Sequence, residues 1–549
     1  MRWNTLLLAV ALAASTVTAR AAMVVYTADG LARVGPDDPP GSTSSATIHA
    51  ARNEYEPFQI IVHAGDTPLA GVSATASDLR APDGSVIASL NVTFYREQYV
   101  HVVTPSPRSP GGAGWYPDAL IPFERPKTGL RPGKPRFVGA PFDVAAGANQ
   151  PVWVDVYVPA GKAPGVYTGT VTVTAAATDA VTIPVELTVW NITLPETPSM
   201  RSNFGKLGTD IANMHGVVMN SLEFLPIEWE YGAQLAAHRI SPIIPNTAYP
   251  EVRGDGSIDT HRTHARLVRW MNTFHVTGFP IRLLGDDPAG RDQARNVTHL
   301  RAMYSYLKAN GWEKTAYVYV MDEPNTAAAY AEVRRRAAMI HAAQPGIKVL
   351  CTEQPDPQEA SWGSLVGSVD IWVPLWSLWN DAAVTARERA GDEVWSYTAL
   401  CFAYRGYDTP FWEIDYPLLD YRIPAWINWR TGATGLLYWS PVNWSGTSDI
   451  WTDTGTHHNQ GATFNGEGAL FYPGTAIGYD GPILSMRLQQ IREGLEDYEY
   501  LKLLADRNDR AFVDETVRTI ARSWTDWDSH PQALYDAREA IAQRLTRGN

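Results

Sequence analysis

The hydrophobic period of this chain changes once, and that change divides it. Across residues 24–190 apolar side chains recur at every second position. Val152, Val154, Val156 and Val158 alternate with Trp153, Asp155 and Tyr157, and Ile183, Val185, Leu187 and Val189 repeat the pattern. A period of two puts alternate side chains on opposite faces of a strand. Short strands of this kind, broken by turns such as Ala163-Pro164-Gly165, predict a β-sandwich over residues 22–195. The polar, proline-containing run 191–198 (NITLPETP) reads as the crossing to a second region.

Beyond residue 200 short apolar strands alternate with helical stretches. The clearest unit starts with 316–321 (AYVYVM), which stops at Asp322-Glu323-Pro324. A helix follows, with Tyr330, Val333, Ala337 and Ile340 on one face, and then a second strand at 347–351 (IKVLC). Further strand candidates lie at 203–205, 240–245, 279–284, 370–375, 394–398 and 435–440. Eight strands separated by helices predict a (β/α)₈ TIM-like barrel over residues 196–549, closed by C-terminal helices from residue 485 onward. A chain of 549 residues is too long for one core, so two such domains suit its length.

The N-terminus predicts export. Arg2, the apolar run 6–14 and Ala19-Arg20-Ala21 have the order of a signal peptide, here residues 1–21, and the apolar run is too short to anchor the chain in a bilayer. A periplasmic or secreted location is the expectation. The net charge of -13, with no basic stripe, argues against nucleic acid as a partner, and no later segment predicts a membrane anchor. Cys351 and Cys401 are the only cysteines, too few for a disulfide framework or a cysteine metal site, though the two could pair. His457-His458 lack the spacing of a metal-ligand set and read as loop residues, so no metal or cofactor is expected.

In a barrel of this kind the C-terminal ends of the strands carry the chemistry. Asp322 and Glu323 stand at such an end, and a pair of carboxylates is what cleavage of a glycosidic bond needs. Adjacent residues point in different directions, so the two cannot face each other across the bond. That geometry suggests a division of labour, with Glu323 as general acid and then base. Asp322, an anion able to accept from an N–H, suits a 2-acetamido group whose carbonyl oxygen attacks the anomeric carbon. The strand candidate 394–398 ends without a carboxylate, which fits catalysis assisted by the substrate itself. Glu413 and Asp415, in 411–416 (FWEIDY), and Glu353 are the alternatives for a protein nucleophile or a sugar-binding carboxylate.

Tryptophan gives a second signal, with 11 of the 20 falling between Trp362 and Trp451. Indole faces stack on the C–H faces of sugars, and Trp395, Trp439 and Trp444 lie on or just after predicted strand ends. Trp426 and Trp429, in a helical stretch, read as core. Tyr397 is placed to donate to an acetamide oxygen. A glycan is thus the expected partner. Two other readings stay open: a two-carboxylate glycosidase acting on a sugar without an acetamide, and a carbohydrate-binding protein on an inactive barrel.

Three stretches carry a family resemblance. They are 465–474 (NGEGALFYPG) leading through 481–488 (GPILSMRL) into 491–501 (IREGLEDYEYL), 421–444 (YRIPAWINWRTGATGLLYWSPVNW), and 52–59 (RNEYEPFQ). Together they resemble glycoside hydrolase family 123. The resemblance implies a β-sandwich before a (β/α)₈ barrel and retaining β-N-acetylgalactosaminidase activity by substrate assistance, with the Asp-Glu pair falling on Asp322 and Glu323. The galacto preference rests on the resemblance alone. The helical stretch 487–501 reads as scaffold bracing the barrel through ion pairs.

Overall fold

The computed structural model describes residues 22–205, 207–400, 406 and 408–547. The predicted leader and Cys401, and with it the question of a Cys351–Cys401 pair, lie outside those residues.

Two sheets face each other in the N-terminal region. The first runs, side by side, Met23–Asp29, Glu54–Ala64, Asn149–Val158, Val92–Val102 and Gly114–Pro122, all antiparallel. The second runs Ala46–Arg52, Val181–Thr193, Gly165–Thr174, Leu69–Ala76 and Phe142–Val144. Val152, Val154, Val156 and Val158 point between the sheets with Ile183, Val185, Leu187 and Val189, as the alternation requires. Trp153 and Asp155, on the opposite face, are buried as well. The second region covers that face.

It also extends the sheet. Pro482–Ser485 pairs with Gly114–Pro122 through Leu484 opposite Leu120, and Tyr472–Pro473 pairs outside it. The first sheet therefore has seven strands, two of them drawn from beyond residue 470. The crossing after Val181–Thr193 is where the chain changes period; it is not where the packing ends.

In the second region seven strands form one parallel sheet. They are β1 (Arg201–Asn203), β2 (Phe279–Pro280), β3 (Ala316–Met321), β4 (Lys348–Cys351), β5 (Ile371–Trp372), β6 (Glu393–Thr398) and β7 (Gly435–Tyr438). Their lateral order is β1-β7-β6-β5-β4-β3-β2. The order is that of a barrel with one stave missing. The expected strand at 240–245 makes no ladder, so the closed eight-stranded barrel is corrected to an open seven-stranded one. Pro242 and Pro245 explain it, because each removes a backbone donor and two losses in six residues leave too few bonds for pairing. Side chains stitch the segment in place. The Ser241 N–H donates to Ser202 Oγ on β1 (2.8 Å), and the Thr277 N–H donates to Ser241 Oγ (3.1 Å).

The helix Met486–Leu504 lies where the two regions meet. Its sequence suggests one apolar stripe, yet nearly every residue is buried, including Arg487, Arg492, Glu493, Glu496 and Asp497. A helix buried all round can carry charges only if they are paired. Arg492 grips Asp155 of the sandwich with two bonds (2.7 and 2.8 Å), Arg487 bonds Asp118 (2.9 Å), and Asp497 receives Arg422 (2.7 Å). The ion-pair scaffold expected for 487–501 is thus an interdomain one. Trp426 and Trp429, buried in the helix Leu419–Thr431, point their indole N–H groups at Asp497 and Asp514. No helix among the described residues is long and apolar enough to cross a membrane.

Candidate active site

Strand β3 alternates as a barrel strand should. Val318 and Val320 pack outward against the helix layer, while Tyr317 points into the barrel with Leu350, Ile371, Trp395 and Leu437. At its C-terminal end the chain turns sharply, and Glu323 adopts a left-handed backbone, φ 41°. A residue other than glycine held there stores strain that the surroundings must sustain. Thr352, immediately after β4, supplies that hold. Its Oγ1 accepts the Glu323 N–H at 2.9 Å and donates to Asp322 Oδ1 at 2.9 Å. Tyr319, on β3, donates to the same Asp322 oxygen at 2.6 Å. Asp322 is not the cap of the following helix: Thr326 fills that place, accepting the Ala329 N–H at 3.1 Å.

Asp322 and Glu323 open onto a cavity of about 1040 Å³, lined also by Tyr319, Thr352, Tyr397 and Trp439. Much of the remaining wall is apolar, from Leu207, Ile243, Ile244, Ile281 and Leu437. Tyr397, on β6, donates its hydroxyl proton to Glu323 Oε1 at 2.5 Å. Burial raises the Glu323 carboxyl above its ordinary value, the Tyr397 bond pulls it down, and the charge of Asp322 pushes it up again. A carboxyl biased toward its acid form and open to a cavity is equipped to give a proton.

The cavity also gathers residues that the sequence reading passed over. Tyr319 and Thr352 are two. His457, expected to be a loop residue with His458, lies instead on the strand Gly455–Asn459, paired with Ala462–Asn465, reaches the wall and meets the Trp439 ring edge-on at 5.9 Å. Asp210 and Glu228, from the helices Gly208–His215 and Phe224–Ala237, line the side near β1; burial lifts the Glu228 carboxyl to about 7. Arg282, just beyond β2, stacks on Tyr249 (4.4 Å) and donates to Asn246 Oδ1 (2.6 Å).

Three expected site residues lie elsewhere. Trp395 is fully buried one layer below Tyr397 on β6, its indole N–H on Glu393 (2.7 Å), in the space left by Gly435. Two residues along a strand amount to roughly 6.6 Å of depth, and that difference takes Trp395 out of the pocket. Trp444 is buried with its N–H on the Phe471 carbonyl (3.0 Å), packed edge-on against Tyr231. Glu413 is buried, absent from the cavity wall, and in contact with Glu467. Its neighbour Asp415 is committed to Ser106, accepting from the backbone N–H and the hydroxyl at 2.7 Å each. Glu353 is also buried; burial lifts it to about 7, and the nearby Glu323 charge adds to the lift. No group of three or more His, Cys, Asp or Glu among the described residues is arranged to hold a metal ion.

Comparison with known proteins bears on this site. The model of the glycoside hydrolase 123 catalytic domain matches residues 289–504, which include Asp322, Glu323, Tyr397 and Trp439. The model of the glycoside hydrolase 123 N-terminal domain matches residues 34–175. Among solved structures, a family 123 glycoside hydrolase from Clostridium perfringens, studied for glycolipid glycan hydrolysis, superposes with a TM-score of 0.68 at 14% identity, over 96% of this chain and 98% of that one. A family 5 xyloglucanase from Bacteroides ovatus aligns over 86% of this chain and 100% of its own at 9% identity, but its TM-score of 0.29 is too low to bear on the argument. No curated protein matches the chain. With both regions matched by models of one family and the whole chain following the fold of a member, the chain is a glycoside hydrolase and belongs to glycoside hydrolase family 123.

Proposed function

We propose that this glycoside hydrolase cleaves β-linked N-acetylgalactosaminides with retention, using the substrate's own acetamide as the nucleophile. The observation that carries the proposal is the way Asp322 is held. Tyr319 and Thr352 both donate to Oδ1, and no described residue donates to Oδ2. One oxygen is fixed by the protein and the other is left to accept an N–H. An acetamide N–H on Oδ2 would turn its carbonyl oxygen toward the anomeric carbon, and the carboxylate would stabilise the oxazolinium charge that follows. Glu323, whose carboxyl burial raises toward its acid form, gives its proton to the leaving oxygen; as carboxylate it then takes one from the water that opens the ring. Trp439 offers an indole wall for the sugar. Tyr397 acts here on Glu323, a different task from the acetamide contact its position first suggested.

Family membership favours the galacto sugar, and the Clostridium relative makes glycolipid glycans the first natural substrates to assay. The pattern of residues 1–21 favours export. The decisive experiment compares matched aryl β-glycosides of N-acetylgalactosamine, N-acetylglucosamine, galactose and glucose. Turnover confined to the acetamido sugars, lost in Asp322→Ala, is the expected result. Equal cleavage of plain galactoside would sink substrate assistance and turn attention to Glu228 and Asp210, the other carboxylates on the wall.

A further inference from the structure

Behind Trp439 lies a second pair of carboxyl groups, outside the chemistry described above. Glu467 is 1% exposed and Glu413 is 0% exposed. The Trp439 indole N–H donates to Glu467 Oε1, and Leu400, Tyr438 and Glu413 lie around the same side chain. The Tyr438 oxygen accepts the Gly468 N–H (2.7 Å), which ties the loop of Glu467 to the end of β7. Neither oxygen of Glu413 has a hydrogen-bond partner among the described residues. Two buried carboxyl groups side by side disfavour each other's charge. Burial and the Glu467 charge both raise Glu413, which agrees.

The pair is itself anchored. Arg487 donates to the carbonyls of Gly466 and Ala469, on either side of Glu467, at 3.0 and 2.6 Å. Gly468 lies flat against the indole: a Cβ there would come within 2.3 Å of the ring. Trp439, Leu400 and Tyr438 come from the ends of β6 and β7, and all three line the cavity.

We infer that Glu467 is a positioning residue: it ties the ends of β6 and β7 together and fixes the Trp439 indole at the angle that receives the sugar ring. The inference rests on the reading of Trp439 as a sugar wall. It excludes Glu413 and Glu467 as nucleophiles and gives them a role through Trp439 instead.

The test is a double-mutant cycle on the full-length enzyme, read on whichever aryl glycoside the wild type cleaves best, so that a failure of acetamide selectivity does not disturb it. Glu467→Ala and Trp439→Phe each remove the N–H to carboxylate bond, and each is expected to raise KM about tenfold. The double variant is expected to be no worse than the weaker single. Glu467→Gln, which keeps an acceptor for the indole, is expected within about threefold of wild type. Effects that multiply in the double variant would overturn the inference, because Glu467 would then act without Trp439. Wild-type KM in Trp439→Phe would overturn it even if Glu467→Ala failed to fold. If Trp439→Ala also left KM unchanged, the sugar-wall reading itself would fall, which a wild-type Phe variant with an impaired Ala variant would not imply.

Discussion

Replacing Thr352 by valine tests the site at its least obvious point. The two side chains have nearly the same shape, so the change removes a hydroxyl and little else. That hydroxyl is 2% exposed as part of its residue and makes two bonds of 2.9 Å, one from the Glu323 N–H and one to Asp322 Oδ1. An orphaned buried N–H costs about 1–3 kcal/mol, and a hydrogen bond to a charged group contributes about 1.5–3 kcal/mol. Water in the cavity recovers part of each. A net loss of about 2 kcal/mol of transition-state stabilisation lowers kcat/KM about 30-fold. The strained turn at Glu323 also loses its partner, so stability in urea is expected to fall by about 1 kcal/mol. Thr352→Ser restores the donor and the acceptor and is expected to recover most of the activity. The measurement is kcat/KM on an aryl N-acetylgalactosaminide for all three proteins, with urea unfolding alongside. A valine variant within threefold of wild type would refute the reasoning. So would a serine variant as impaired as valine, since the effect would then come from the lost methyl group.

Tyr397→Phe removes the hydrogen bond that lowers Glu323, leaving burial and the Asp322 charge, which raise it. The acid form is the one that protonates the leaving group, so the alkaline limb of the kcat/KM profile should move to higher pH; a limb that stays or moves down would rule out the contact. Glu228→Gln tests a buried carboxyl lifted from 4.5 to about 7. A folded value above the unfolded one gives stability that is present below 4.5 and lost as pH rises through about 7. The variant should therefore gain about 3 kcal/mol on wild type between about pH 4.5 and pH 8 in urea unfolding, and a difference independent of pH would count against it. Asp155→Ala removes the carboxylate that Arg492 grips across the interface and leaves it Glu493 on its own helix, so it should cost about 1.5–3 kcal/mol, and an unfolding midpoint within error of wild type would show that the pair does not hold the domains.

What the sequence disclosed and what it hid follow from the range of the interactions involved. Asp322 and Glu323 were legible because an apolar strand of six residues cannot end in two carboxylates and a proline without exposing them. Tyr397 was legible as the last inward-facing residue of β6. Trp395, on the same face of that strand, was not separable from it: alternation says which side faces inward, and depth depends on where the neighbouring strands stop. Trp439 and Trp444 follow one strand by one and six residues, and only the course of the loop sends one to the cavity and the other to the Phe471 carbonyl. The missing stave at 240–245 could have been read from Pro242 and Pro245, whose lost donors outweigh an apolar pattern when the strand is short. Thr352 left only a faint signal, a hydroxyl just past a strand end, and its partners just after β3 are 29 and 30 residues away in sequence.

The stretch 465–501, which carries part of the family resemblance, contains neither Asp322 nor Glu323 and lies where the two regions meet. Arg487 holds Asp118 of the sandwich on one side and the carbonyls of Gly466 and Ala469 on the other. Within that loop Glu467 holds Trp439. Five residues on from Arg487, Arg492 grips Asp155 of the sandwich. Arg487, Arg492, Asp118, Asp155 and Glu467 are all buried, and a buried charge left without a partner is costly. A substitution here would leave a charge unpaired in the domain interface and release the loop behind the cavity wall at the same time. Docking of the sandwich is therefore coupled to the loop behind Trp439, because one helix, through Arg487 in its first turn, holds both.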